Sequence, residues 1–213
     1  MTLNIGFVTE GPTDVVLLEA LLKHILKQPF VTSVLQPIGS ADVGYGANGG
    51  GWKGVQRWCE EIAVKTGFQN FLTGSNAYDL LIFQIDLDVA REKEVNCYDI
   101  EESITQNVTR LQQQICSWLQ IDEEEMKCPV ILTIPADNLE AWMLAYLNTD
   151  EQEIEKIQKP DKLLARKPYK LKKSRIHYMR VVAPMLVENW QLVKDKCSQA
   201  KKFEDDVLSC VRQ

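Results

Sequence analysis

The sequence predicts an α/β fold: a mainly parallel, Rossmann-like sheet of about four strands with helices on both faces, followed by a helical C-terminal extension. Three observations predict it. Short apolar runs of strand length alternate with segments of helical periodicity up to about residue 147. The run LLIFQI is apolar at nearly every position, as in a strand buried on both faces. Beyond residue 150 the pattern is helical or irregular, with no segment that reads as a strand. The chain therefore divides into an α/β part, residues 1–148, and a helical, basic extension, residues 149–213, packed on it.

The elements follow in order. Residues 3–9 (LNIGFVT) form a first buried strand, and Pro12 sits where a first helical turn accepts it before VVLLEALLKHIL continues the helix. VTSVLQPI, residues 31–38, reads as a second strand. Residues 39–54 hold seven of the eleven glycines and predict a mobile loop, and helical signals return from Trp52 to about Lys65. A third strand covers residues 78–85. Residues 100–119 predict a helix with Ile104, Val108, Leu111, Ile115 and Leu119 on one stripe. PVILTIP, residues 129–135, is a fourth strand, followed by a helix from about Asp137 to Tyr146.

Composition narrows the function classes. No apolar run reaches the length of a membrane span, and the N-terminus has neither the basic start nor the cleavage site of a secretory signal. The six cysteines contain no CxxC pair, so reduced, buried thiols and a cytoplasmic location are expected. With only His24 and His177 available, the sequence offers little for zinc. The net charge of −6 is uneven: residues 156–175 carry nine basic side chains against Asp161 alone, a local charge of +8, downstream of the acidic run Asp122–Glu125.

Acidic residues close the apolar strands. In an open parallel sheet, ligands bind outside the carboxyl ends of the strands. The first strand ends in Glu10 (VTEGPTD), and the third ends in Asp86 and Asp88 (FQIDLDVA). Asp14 follows Glu10 by about one helical turn, and Gly11 lets the backbone turn between them. Taken singly, Asp14 suits a helix N-terminus and Asp88 a turn. Taken together they are costly, since carboxylates about 5 Å apart repel by about 3 kcal/mol at an effective dielectric near 20. A divalent cation reverses that sign, and oxygen ligands suit Mg²⁺ or Mn²⁺. Glu140 has two readings. With Asp137 it has the spacing of a capping box, and it also starts a helix at a strand's carboxyl end, where it could join the acids.

VTEGPTD after a first strand and IDLD after a later one resemble the TOPRIM superfamily, which includes topoisomerases, bacterial primases, small ribonucleases and OLD-type nucleases. The resemblance covers roughly residues 1–147. It implies Mg²⁺ held by Glu10, Asp86 and Asp88 for cutting or joining phosphodiesters. The EGxxD form with Asp14, the glycine-containing turn PIGSADVG and the Leu139–Glu140 pair look closest to OLD-type nucleases and small standalone relatives. There Asp14, with Glu140, is implied to help seat a second ion. DLDVAREK lacks the Pro and Gly usual around the DxD of primases and topoisomerases.

The basic segment KPDKLLARKPYKLKKSR hardly alternates in sign, and Tyr169 and Tyr178 lie within or beside it. Phosphate contact is expected from Lys173 and Arg175 first, then Lys170, with base stacking by the tyrosines. GGGWKG is not a Walker A loop, though Trp52 and Lys53 could touch nucleic acid. The expected function is Mg²⁺-dependent hydrolysis of nucleic-acid phosphodiesters, DNA or RNA. The alternatives are a subunit that is silent until it joins a separate ATPase, as in a phage-defence pair, and phosphoryl chemistry on a small metabolite.

Overall fold

The computed structural model describes residues 2–40, 44–45, 47–74, 77–148, 150–151 and 153–211. Strand β1 (Leu3–Val8) leads through Glu10 and Gly11 into helix α1 (Pro12–Leu26), and β2 (Phe30–Gln36) follows. Two short strands, β3 (Gly39–Ser40) and β4 (Gly44–Tyr45), precede α2 (Gly51–Lys65) and α3 (Phe68–Thr73). Next come β5 (Leu80–Gln84), a 3₁₀ turn (Leu87–Arg91), α4 (Ile104–Leu119), β6 (Val130–Thr133) and α5 (Glu140–Leu147). The remainder holds α6 (Pro160–Leu164), α7 (Arg175–His177), a π-helical turn (Tyr178–Val182), α8 (Ala183–Glu188), α9 (Trp190–Lys196) and α10 (Ser198–Val211). The order of the four-stranded sheet is β2-β1-β5-β6, and every neighbouring pair is parallel.

This register aligns the carboxyl ends of three strands. Val8 pairs with Phe83, Phe83 with Leu132, and Gln84 with Thr133, so the residues following β1, β5 and β6 emerge together at one edge. Gly6 leaves room within β1 for its neighbours, since a Cβ there would come within 2.9 Å of Leu81 Cδ1. The sheet is covered on both faces. One face packs α1, α5 and the C-terminal helices over Ile5, Phe7 and Ile82; the other packs α2, α3 and α4 over Val8, Leu81 and Phe83.

The C-terminal helices share the core of the first face. Trp190, Phe203 and Val207 are buried in the same apolar cluster as Phe7, Leu18 and Trp142, and the rings of Trp142 and Trp190 meet edge to face at 5.4 Å. Burial of such aromatics supplies a large share of core stabilisation. The expected boundary at 148/149 falls at Thr149, outside the described residues.

Several bounds differ from expectation for local reasons. β2 ends at Gln36 because Pro37 has no N–H to offer a ladder. The helix expected from residue 100 starts at Ile104, where Ser103 and Gln106 form a reciprocal capping box. Of the expected glycine loop, Gly51–Gly54 already belong to α2, while residues 41–43 and 46 lie outside the described residues. The expectation of reduced thiols is overturned for one pair. Cys128, beside β6, and Cys210, in α10, form a disulfide with a Cα–Cα distance of 5.4 Å. Cys59, Cys116 and Cys197 are free and buried, and Cys97 is free and half-buried. Among the described residues, no helix is long and apolar enough to cross a membrane.

Candidate functional site

Glu10 and Asp86 come together directly. Strand pairing sets the ends of β1 and β5 side by side, and the Asp86 N–H donates to Glu10 Oε1 at 2.7 Å. Gln84, the only polar residue of the buried strand β5, ties the pair from below. Its Oε1 accepts the Glu10 N–H at 3.3 Å, and its Nε2 donates to Asp86 Oδ1 at 2.7 Å. The start of α2 closes one side: the Gly51 N–H donates to the Glu10 carbonyl at 2.8 Å, and the Trp52 N–H turns toward the Glu10 carboxylate. Gly54 lets that helix approach, since a Cβ there would collide with Gln36 Nε2 at 2.3 Å and the Gly49 carbonyl at 2.6 Å.

Asp14 and Glu140 complete a nest of four acids. Asp14, in the first turn of α1, sits over Gly11, where a Cβ would lie 3.2 Å from its Oδ2. Burial lifts the Glu10 carboxyl to about 8, and the Asp86 N–H opposes this while Asp14 and Asp88 add to it. Burial and then the Glu140 carboxylate raise Asp14 to about 7, against the Gly11 amide and Lys173. Asp86 rises well above the usual carboxylate range, through burial and then Glu10, Asp14 and Glu140. Interactions of this kind place the four carboxyls near one another.

Glu140 does not cap its own helix. α5 begins at Glu140, and Asp137, with φ of 60°, stands outside it. Instead Tyr178 Oη donates to Glu140 Oε1 at 2.8 Å, and Lys173 Nζ lies 3.1 Å from the same oxygen. Burial, then the Glu140 charge, raises the Tyr178 phenol, so it stays a proton donor. Asp137 is committed elsewhere, with Arg91 Nη1 at 2.5 Å and the Lys159 N–H at 2.7 Å. The capping-box reading of this pair is therefore replaced by long-range contacts.

Asp88 lies at the rim. Its N–H donates to the Asp137 carbonyl at 3.0 Å, and its carboxyl rises to about 6 through burial and then Asp137, with Arg91 opposing. Glu10 and Asp86 feel its charge less than that of Asp14. The basic residues divide. Lys173 enters the acidic nest, whereas Lys53 pairs with Glu94 at 3.0 Å and lies over the Trp52 ring. Lys170 and Arg175 are exposed, and neither has an ion-pair partner among the described residues. Of the tyrosines expected to stack on bases, Tyr178 is buried and engaged with Glu140, a correction to that role, and Tyr169 is half-buried against the core.

Sequence reasoning missed Gln84, and it gave Tyr178, Asp137 and Asp161 other parts than the ones they play here. Gln84 had a signal, a lone amide in an apolar run, but Tyr178 reaches Glu140 across 38 residues without one. The donor set fits magnesium in kind: four carboxylates with no thiolate or imidazole among them. Two more buried oxygens, Thr133 Oγ1 at the end of β6 and Asn138 Oδ1 just before α5, have no hydrogen-bond partner. No group of three or more His, Cys, Asp or Glu side chains among the described residues is arranged to hold a metal ion as it stands.

No protein-family model, curated protein or solved structure matches the chain significantly.

Proposed function

We propose that the chain is a Mg²⁺-dependent nuclease of TOPRIM type, hydrolysing nucleic-acid phosphodiesters at the edge where β1 and β5 end. The observation that carries this reading is the crowding of Glu10, Asp14, Asp86 and Glu140, in which burial and mutual repulsion hold three carboxyls far above their usual range. That crowding is costly for a fold and useful to a cation site.

Glu10 and Asp86, with Asp88 at the rim, would hold one ion, and Asp14 with Glu140 would help seat a second. Bound magnesium would supply Lewis-acid polarisation of the phosphoryl group and a more acidic water. Gln84 orients the Asp86 carboxylate and anchors the Glu10 backbone through its two amide atoms. Glu10, a carboxyl held near neutral pH by its surroundings, suits removal of a proton from the attacking water. Tyr178 keeps Glu140 turned toward the nest. Lys170 and Arg175, exposed on the same stretch of chain as Lys173, suit contact with backbone phosphates, and Lys53 joins them once released from Glu94.

Incubation of the purified chain with Mg²⁺ or Mn²⁺ and single-stranded DNA, duplex DNA or RNA tests this. Cleavage that EDTA stops and Asp86→Asn abolishes is expected, whereas intact substrates, or equal cleavage by Asp86→Asn, would contradict it.

One observation favours the second reading, a subunit that acts only with a partner such as a separate ATPase. β2 is an edge strand paired only to β1 among the described residues, and Val31 and Ile38, 57% and 60% exposed, lie on or just past it. Such an edge is a template for another chain. Cleavage that appears only on mixing with a second protein, and disappears in Val31→Lys, would support it; cleavage by the isolated chain would exclude it.

A further inference from the structure

Lys173 occupies the acidic nest on unequal terms with its partners. Its Nζ is 3.1 Å from Glu140 Oε1 and 3.7 Å from Asp161 Oδ2, and its charge is felt by Asp14 and Asp86 as well. Its side chain is 58% exposed, against 9% for that of Glu140. The ammonium can therefore swing into water while the carboxylate cannot follow. Glu140 would not be stranded, because Tyr178 Oη still donates to the same oxygen.

The backbone on either side of Lys173 is fixed, so the movement asked of it is that of the side chain. Between α6 and α7 the chain forms neither helix nor strand. It is pinned at Leu171, whose N–H donates to the Leu164 carbonyl at 2.8 Å, and at Ser174, whose hydroxyl caps α7. Among the described residues, the Lys173 side chain between these pins forms ion pairs with two carboxylates, Glu140 and Asp161. A pair exposed on one side contributes little, up to about fivefold in an equilibrium constant.

From this geometry we infer that Lys173 is an exchangeable counter-ion, a built-in competitor for the cation site that leaves Glu140 when a divalent ion binds and then becomes available to a polyanion. The inference rests on the proposed cation site and adds its regulation. A ligand that draws Lys173 outward opens the nest to metal, and metal frees Lys173 for that ligand. The two affinities must rise by the same factor, because coupling between sites is reciprocal. The site therefore charges most readily when a nucleic-acid strand is present, which restrains metal-loaded protein without substrate.

Mn²⁺ titration followed by electron paramagnetic resonance of the free ion tests this on the full chain. Three proteins are compared: wild type, Lys173→Met, which keeps the aliphatic stem, and Lys173→Arg, which keeps the charge; thermal melts confirm folding. Lys173→Met is expected to bind Mn²⁺ about fivefold more tightly than wild type, with Lys173→Arg close to wild type. A short single-stranded DNA should tighten Mn²⁺ binding to wild type and leave Lys173→Met unchanged. Equal or weaker binding by Lys173→Met overturns the counter-ion role while leaving the cation site standing. Absence of Mn²⁺ binding in all three proteins overturns both.

Discussion

Substitution of Glu10 by Gln is expected to stabilise the metal-free protein at alkaline pH and to do little in acid. The Glu10 carboxyl titrates at about 8 in the folded chain against 4.5 when unperturbed, with burial the leading cause and the Asp86 N–H opposing it. Between those values the native state holds a proton that the unfolded chain has released. Stability therefore falls as pH rises from about 4.5 to about 8 and levels off above. At about 1.4 kcal/mol per pH unit the full effect is about 5 kcal/mol. Glu10 keeps a solvent-accessible edge, and screening reduces this to about 2–3 kcal/mol. Glutamine carries no charge, and its Oε1 can still accept the Asp86 N–H that Glu10 accepts at 2.7 Å. Urea unfolding in EDTA should place Glu10→Gln about 2–3 kcal/mol above wild type near pH 9 and level with it near pH 4. Saturating Mg²⁺ near pH 9 should reverse the order, since only the carboxylate gains from a cation. A variant equally destabilised at both pH values would refute the reasoning, because it would mean that the Glu10 carboxylate is well satisfied in the fold.

Other consequences follow from the same contacts. Trp190→Ala should cost about 3–5 kcal/mol in chemical unfolding, because the C-terminal helices complete the core around Trp142 and Phe203; a loss below about 1 kcal/mol would make them an appendage. Gly54→Ala should lower stability by more than about 1 kcal/mol and weaken metal binding, as its Cβ would push α2 away from Gln36; an unchanged melt would contradict that packing. Reduction of the Cys128–Cys210 disulfide, whose cysteines are 82 residues apart, should lower stability by about 2–4 kcal/mol, and Cys210→Ser should reproduce the loss. Tyr178→Phe should weaken Mn²⁺ binding without unfolding the protein, since Glu140 would lose its neutral donor.

The fold was legible where a local pattern decides it. Strands such as LNIGFV and LLIFQ are buried on both faces, so their apolar runs announced them, and their closing acids announced the edge where Glu10 and Asp86 meet. Asp14 followed from helical spacing. Glu140 stayed ambiguous because Asp137 supplies the spacing of a cap, while the structure sends Asp137 to Arg91 and Glu140 to Tyr178 and Lys173. Tyr178 and Lys173 lie in the C-terminal extension, and how that extension docks on α1 and α5 depends on tertiary packing that no short window encodes. The same holds for the disulfide, whose cysteines meet only when α10 lies against β6. Sequence also gave Lys173 an outward task, as part of a basic run, and could not show that it turns inward toward Glu140.

The most direct test is a crystal soaked in Mn²⁺ and measured for anomalous scattering. The account predicts a peak about 2.1 Å from carboxylate oxygens of both Glu10 and Asp86, with Lys173 displaced from Glu140. A map with no peak at that edge, or a peak bound by other residues alone, would contradict it.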